Sequence, residues 1–338
     1  MDSKERDSDE RMHPVGDDPA WSESYYFNFV DPDSGIGMFT RMGFRPRNGW
    51  ADALHVVYLG GDRVAFTYGR RDIGTDLSVY DGDLKVGSLA ITCETDFGRW
   101  RLAYDGPAQD VPDAAILLTR SKTRPEGWFT PANLKMDLTF DTLTPPHFAA
   151  KGVHGHFEQS GRVKGQLTLG GETRTFEGLG VRDKSWGPRN WGGQSSGSGG
   201  GAGAGPRLSS AAAPSPFVVW FSMNFGPEMS MGGSCGRGAD GVVRGAGWIQ
   251  EGDAVGDLKD VTIESEFRSN SILHTAIVLH ATTPAGKRIR IDGKVESMCP
   301  TQIPFPGGAT FVNEGVAIFD YDGRKGTGIA EEWHNVTE

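Results

Sequence analysis

The chain has 338 residues, of which 37% are hydrophobic and 23% are charged, and its formal net charge is −10. This length and composition predict a globular protein of roughly two domains. The acidic balance excludes proteins that bind nucleic acid or anionic membranes through basic patches, because phosphate binding depends on clustered lysine and arginine.

The N-terminal residues and the cysteines indicate the cellular compartment. The first twenty residues are charged and contain no apolar segment typical of a secretory signal, and no apolar run reaches the length of a membrane span. Cys93, Cys235 and Cys299 are odd in number and lack CxxC spacing, which indicates free thiols rather than disulfides or a zinc site. We therefore expect a cytoplasmic protein whose residues 1–13 form a disordered tail.

Alternation of apolar and polar residues with period two dominates the sequence. The odd positions of residues 21–29, WSESYYFNF, carry Glu23, Tyr25 and two phenylalanines, which indicates either a core stripe or the lining of a ligand cavity. Residues 134–140, LKMDLTF, alternate in the same way. Turn signals such as LGGDR and YDGDL recur at short intervals, and helical periodicity is almost absent. The sequence therefore predicts an all-β protein of antiparallel barrels or sandwiches.

Residues 154–159, HGHFEQ, place His154, His156 and Glu158 on one face of a predicted strand. Three titratable groups on one face are typical of a proton-transfer or metal site. A cupin-like metal site also needs a nearby acid and a later histidine, and the following EQSGRVKG supplies neither at the right spacing, so we expect no metal. The alternative is a solvated outer face with Phe157 packed inward.

Residues 177–191, EGLGVRDKSWGPRNW, concentrate charge and aromatic mass. In a strand, Asp183 shares a face with Val181, whereas Arg182 and Lys184 share the other face. If Asp183 faces inward, burial raises its pKa, which suits a general acid near neutral pH. The alternative is that Asp183 forms an ion pair with Arg189 or another arginine at a barrel rim.

Residues 192–216 are rich in Gly, Ser and Ala and predict a flexible insertion. A dinucleotide-binding loop follows a strand and precedes a helix, and the GGAGAG run has neither beside it. P-loop and GxSxG motifs are also absent from the sequence. We therefore expect no organic cofactor. Because the β pattern continues on both sides, we expect an N-terminal β domain at 14–178 and a C-terminal β domain at 179–338.

Residues 217–225, FVVWFSMNF, predict another strand, with Phe225 on its apolar face. Glu314 in FVNEGVAIFDY is an acid among apolar neighbours, although Asn-Glu before glycine commonly satisfies a turn.

Three stretches together resemble the superfamily of AttH and carotenoid 1,2-hydratase, in a branch of paired domains of unknown function. They are HFEQSGRVKGQLTLGGETRTFEGLGVRDKSWGPRNW, FSMNFG and FVNEGVAIFDYDGRKGTGIAEEWH. The resemblance covers nearly the whole chain from Asp18 onward, apart from the insertion. It implies two tandem lipocalin-like β-barrels, in a superfamily whose members hydrate, dehydrate or cyclise isoprenoids and polyketides.

The resemblance also implies roles for particular residues. The hydratases protonate an alkene with an aspartate that lies two residues after a tyrosine and precedes a Trp-Gly pair; here the aspartate is Asp183, and Val181 takes the place of the tyrosine. They also use a histidine and a tryptophan two residues apart, which correspond to His154 and His156. Carbocations are stabilised by aromatic faces, so this chain needs other aromatic residues for ligand binding, such as Trp186, Trp191, Trp220 or Phe225.

We therefore expect a hydrophobic small-molecule ligand, isoprenoid, steroid-like or polyketide. The first hypothesis is acid-base chemistry on that ligand, namely hydration, dehydration or cyclisation. The second is a non-catalytic carrier of a lipid or hydrophobic metabolite. Fold alone does not distinguish them, because a carrier needs only an apolar pocket whereas the enzyme needs an acid inside it.

Overall fold

The protein is described by a computed structural model that covers residues 9–74, 84–189, 214–305 and 307–337, together with the backbone of residues 207 and 208. It divides into two compact units. The first comprises residues up to Val57, Ala65–Asp110 and Phe129–Arg189, and the second comprises Tyr58–Val64, Val111–Trp128 and Asn190–Glu338. The predicted domain boundary after residue 178 falls inside one continuous strand of the first unit.

The described elements are almost entirely strands. In chain order they are β1 Trp21–Asp31, β2 Ile36–Arg45, β3 Trp50–Tyr58, β4 Val64–Asp72, β5 Lys85–Val86, β6 Leu89–Thr95, β7 Arg99–Val111, β8 Thr130–Thr142, β9 His147–Ala150, β10 Gly155–Leu169, β11 Glu172–Pro188, β12 Arg207–Leu208, β13 Val218–Asn224, β14 Met229–Arg237, β15 Val243–Glu251, β16 Ala254–Phe267, β17 His274–Thr282, β18 Arg288–Phe305, β19 Gly308–Tyr321 and β20 Arg324–Thr337. Short 3-10 helices span Pro46–Asn48, Ala114–Leu118 and Ser121–Thr123. The all-β prediction is confirmed.

The first sheet closes into a barrel. Its strand order is β4-β3-β2-β1-β11-β10-β8-β7, and β7 pairs back to β4. Strands β5, β6 and β9 lie outside this ring, since β9 pairs with β10 and β6 pairs with β5 and β7. Closure removes the free strand edges that would otherwise invite pairing with another chain.

The interior of the first barrel is aromatic. Trp100 on β7 lies 5.5 Å from Tyr25 and 5.6 Å from Phe27 on β1, measured between ring centroids. Phe27 in turn lies 5.5 Å from Phe140 on β8. Because β1 does not neighbour β7 or β8 in the sheet, contacts between their rings identify the inward-facing positions. The predicted face of residues 23, 25, 27 and 29 is therefore the inner one.

The second sheet also closes. Its order is β20-β13-β14-β15-β16-β17-β18-β19, and β19 pairs back to β20 along its whole length. One apolar cluster draws residues from all eight strands, including Val219, Phe221 and Met223 on β13. This confirms the strand face predicted for residues 217–225. The two tandem lipocalin-like barrels are thus present.

Two expectations concern segments at or beyond the limits of the structure. The predicted insertion at 192–216 lies largely outside the described residues; within it, β12 pairs in parallel with β20. The expected disordered tail at 1–13 is wrong for residues 9–13. Glu10 is buried, and its carboxylate accepts hydrogen bonds from Trp100 Nε1 at 2.7 Å and from Arg182 Nη2 at 2.8 Å. The charge that suggested solvent exposure is instead neutralised inside the barrel.

Candidate functional site

Strands β10 and β11 bring together His156, Glu158 and Asp183, which we call the His-Glu-Asp cluster. Nε2 of His156 lies 2.5 Å from Oδ2 of Asp183 and 3.3 Å from Oε1 of Glu158. Glu158 stands directly opposite Asp183 in the register, and His156 precedes Glu158 by two residues. All three side chains therefore leave the sheet on the same face.

The protonation of the cluster follows from its charges. Burial lowers the pKa of His156, but Asp183 and Glu158 outweigh burial and raise it to about 10. Burial raises the pKa of Asp183, but the charge of His156 outweighs it, so the pKa is lowered. At neutral pH the imidazole is therefore a cation and Asp183 is a carboxylate.

The expected inward face and raised pKa of Asp183 are wrong. The alternation predicted for β11 is present, but Arg182 and Lys184 occupy the inner positions. The Arg182 guanidinium lies 5.5 Å from the Trp100 ring and 5.0 Å from the Phe157 ring, both in the barrel interior. Asp183 points the other way, where its ion-pair partner is His156 rather than an arginine. Arg189 and Arg41 lower its pKa further through their charges.

The outward face around the cluster is not solvated. The side chains of His156, Glu158 and Asp183 are only 20%, 3% and 15% exposed. The alternative of a solvated outer face is therefore wrong for these residues, although Phe157 does pack inward as that alternative required. Low exposure strengthens each charge interaction in the cluster, because less water screens it.

The neighbouring strands add an aromatic residue that sequence patterns missed. Tyr26 on β1 stands directly opposite Asp183, and Arg41 on β2 stands opposite Tyr26, so Glu158, Asp183, Tyr26 and Arg41 form one row across four strands. The Tyr26 ring stacks with that of Phe39 at 6.3 Å. This row depends on the register between strands that are distant in the sequence. A period-two pattern does not reveal such a register.

A second row lies beside the first. The Ser24 and Ser185 hydroxyls are 3.0 Å apart, and Ser185 stands opposite His156 in the register. Nε2 of His156 is buried, and the two carboxylates at 2.5 Å and 3.3 Å are its ion-pair contacts.

His154 does not join the cluster. It lies in the bend before β10, where it is exposed, and its ring centroid is 6.3 Å from that of Trp21. The strand begins at Gly155, so the predicted alternation does not extend back to position 154.

The cluster also has the composition of a metal site. Its three ligand atoms lie within 4.8 Å of one another. Two ligands of one zinc ion lie about 3.3 Å apart when each metal bond is about 2.0–2.1 Å long. The 2.5 Å between His156 Nε2 and Asp183 Oδ2 is shorter than that spacing, which favours exchange of a proton over joint coordination of an ion.

Two ligand-binding candidates of the first unit face the barrel interior instead. The Trp186 ring stacks on that of His13 at 3.9 Å, and its Nε1 donates to the carbonyl of Gly152 at 3.0 Å. Tyr25 packs on Trp100 and lies 5.1 Å below the ammonium of Lys184. Both residues occupy the face of their strands opposite to the cluster.

The remaining candidates belong to the second unit or are not described. Phe225 is in the apolar core of the second barrel, 6.1 Å from Tyr321. Trp220 is buried on the other face of β13. Glu314 is buried, and its main-chain carbonyl accepts a hydrogen bond from Tyr58 Oη at 2.7 Å. Trp191 lies outside the described residues.

A family model for a domain of unknown function, DUF7064, matches residues 6–337. The chain belongs to this family. No curated protein matches the sequence of this DUF7064 protein. Within the described residues, no helix is both long and apolar enough to cross a membrane.

Solved structures show where the fold recurs. A protein from Nitrosomonas europaea assigned as an AttH is 13% identical, with a TM-score of 0.59 over 94% of this chain and 93% of that one. CghA is 10% identical, with a TM-score of 0.54 over 94% and 89%. Kievitone hydratase from Nectria haematococca is 10% identical, with a TM-score of 0.50 over 93% and 89%. At this identity the likeness shows the fold, and the expected AttH and hydratase-like architecture is confirmed.

Proposed function

We propose that this protein carries out acid-base chemistry on a hydrophobic small molecule, isoprenoid, steroid-like or polyketide, by hydration, dehydration or cyclisation without an organic cofactor. The observation that carries the proposal is the His-Glu-Asp cluster, in which a protonated imidazole lies within ion-pair distance of two carboxyl groups. A structural ion pair needs only one carboxylate.

The proton comes from the His156–Asp183 pair. The proton moves to one alkene carbon, the other carbon becomes cationic, and a water oxygen then bonds to that carbon. The surplus proton of this water returns to the pair, so the cluster is regenerated. Because His156 holds the proton at neutral pH, it is the immediate donor, and Asp183 and Glu158 stabilise and orient the imidazolium.

Tyr26 supplies the aromatic face that such a cation needs. It stands directly opposite Asp183 on the neighbouring strand, so its ring borders the cluster. In the resemblance to the hydratases, Val181 occupies the position of their tyrosine, and Tyr26 would compensate from β1. The hydratase name of one structural neighbour agrees with this class of reaction.

The test follows oxygen from water into product. The purified protein is incubated in H₂¹⁸O with isoprenoid alkenes and with isoprenoid tertiary alcohols, and ¹⁸O incorporation is measured by mass spectrometry. We expect incorporation with the native chain, and loss of about a hundredfold or more with His156→Gln or Asp183→Asn, the scale of general acid catalysis. Asp137→Asn, in an exposed ion pair on β8, is the matched control.

Three outcomes contradict the proposal or narrow it. If His156→Gln and Asp183→Asn both keep the native activity, the catalytic acid is another residue. Ligand that binds, shown by native mass spectrometry, without ¹⁸O incorporation, loss of water or cyclisation supports the non-catalytic carrier instead. Unfolding of Asp183→Asn, detected by circular dichroism, assigns Asp183 a structural role and leaves His156→Gln as the deciding variant.

A further inference from the structure

A second group of polar side chains lies inside the barrel of the second unit. We call His274, Asn313, Glu332 and His334 the second-barrel polar cluster; each is at most 1% exposed. Asn313 and the core residue Val219 stand opposite Glu332 on its two neighbouring strands, so Glu332 faces the interior. The proposed acid-base chemistry does not use these residues.

Hydrogen bonds fix the protons of the cluster. Nε2 of His274 donates to the carbonyl of Ala330 at 3.1 Å, and Nε2 of His334 donates to Oε2 of Glu332 at 3.1 Å. Nδ2 of Asn313 donates to the carbonyl of Ile272 at 2.8 Å. In neutral histidines, the proton on Nε2 leaves Nδ1 as an acceptor. Nδ1 of His274 is 3.6 Å from Oε2 of Glu332, beyond hydrogen-bond distance.

Within the part of the chain that the structure describes, four buried atoms of the cluster have no hydrogen-bond partner. They are His274 Nδ1, Asn313 Oδ1, Glu332 Oε1 and His334 Nδ1. Asn313 Oδ1 and Glu332 Oε1 are acceptors, and so is each Nδ1 atom when its ring carries its only proton on Nε2, so these atoms do not satisfy one another. A buried polar atom without a partner costs about 1–3 kcal/mol, and more when the group is charged. The Ser265 side chain also forms a hydrogen bond with the Glu332 carboxylate, yet these four atoms still lack a donor within the described residues.

Among the described residues, the ion-pair partners of Glu332 are His274 and His334, with no lysine or arginine. Burial raises the pKa of Glu332, but the two histidines and a hydrogen bond with Ser265 outweigh it and the pKa is lowered, so the group is a carboxylate at neutral pH. Burial lowers the pKa of His274, which favours its neutral form.

The cluster requires hydrogen-bond donors for its buried acceptors and a positive charge beside the Glu332 carboxylate. A water molecule donates only two hydrogen bonds and carries no charge. A primary ammonium carries three N–H donors, no acceptor and one positive charge. We propose that the second-barrel polar cluster binds a primary ammonium group. The apolar core that begins beside Glu332, at Val219 and Ala330, would contact any hydrocarbon attached to that group.

The test compares cations on the native protein. Thermal unfolding is followed in ammonium, methylammonium, butylammonium and tetramethylammonium chloride at one ionic strength. We expect the N–H-bearing cations to raise the melting temperature relative to tetramethylammonium, because only they can donate hydrogen bonds. Equal effects of all four salts overturn the proposal. Among the N–H-bearing cations, a stronger effect of butylammonium indicates an amine with an apolar body, and a stronger effect of ammonium indicates the inorganic ion.

Two variants locate the effect. Glu332→Gln removes the charge, and we expect binding of methylammonium to weaken at least about tenfold in calorimetry, since hydrogen bonds to charged groups are the strong ones. Glu331→Gln is the matched control, because it removes an acid one residue away on the opposite face of β20. Loss in both variants, or in neither, overturns the assignment. If Glu332→Gln does not fold, the comparison of salts on the native chain still decides.

Discussion

A buried ion pair between Glu10 and Arg182 neutralises charge in the interior of the first barrel. Arg182 and Glu10 are at most 1% exposed, and their ion pair ties the N-terminal segment to β11. Removing one partner leaves an uncompensated buried charge, so we expect Glu10→Gln to lower the free energy of unfolding by about 3–5 kcal/mol. Urea denaturation measures this. The control Asp137→Asn, in an ion pair with both side chains largely exposed, should change it little.

The first barrel also contains two histidines with opposite titrations. Carboxylates raise the pKa of His156 to about 10, whereas burial lowers the pKa of His55 to about 3. NMR of the imidazole carbons should therefore show His156 protonated and His55 neutral between roughly pH 5 and 9, because this range lies between the two pKa values. A His156 that titrates near its ordinary value contradicts the proposed cluster.

The same shift predicts a pH dependence of stability. The pKa of His156 in the folded state is about 10, above the value of about 6.5 for an unfolded chain. Its contribution to stability is therefore fully present below about pH 6.5 and is lost as the pH rises through about 10. In His156→Gln, the fall in the free energy of unfolding across this alkaline range should become shallower. An unchanged slope contradicts the assignment.

At the scale of elements, close approach of β1 and β11 depends on glycine. A Cβ at Gly180 would lie 1.7 Å from the carbonyl oxygen of Asn28 on β1. We expect Gly180→Ala to separate these strands and lower the free energy of unfolding by about 1–3 kcal/mol or more. Gly69→Ala on β4 is the control, because its added Cβ would meet its neighbours at an ordinary 3.7 Å. Equal stability of the two variants contradicts this reading of β11.

The strands and their faces could be predicted from period two, as residues 21–29 and 217–225 show. The inner face of β11 could not, because Arg182 and Lys184 break the rule that charge faces outward. Their counter-charges come from Glu10 and Glu23, which a local pattern does not pair with them. Tyr26 was missed for the related reason that register is set by the whole sheet.

At the scale of the whole molecule, closure predicts a pattern of hydrogen exchange. Strand β1 is paired on both edges, with β2 and β11, whereas β9 pairs only with β10. Amides of β1 should therefore exchange slowly and those of β9 rapidly, since free edges open locally at low cost. Mass spectrometry of peptides covering the two strands measures this. Faster exchange in β1 than in β9 contradicts the closed ring.

The pairing of β1 with β11 has a consequence during synthesis on the ribosome. The hydrogen bond from the Val181 amide to Asn28 Oδ1 joins residues 153 positions apart. At a translation rate of about 5–20 residues per second, roughly 8–30 s pass between synthesis of Asn28 and synthesis of Val181. Throughout that interval the aromatic residues of β1 are not covered by β11. We therefore expect a chaperone to bind the nascent chain at β1.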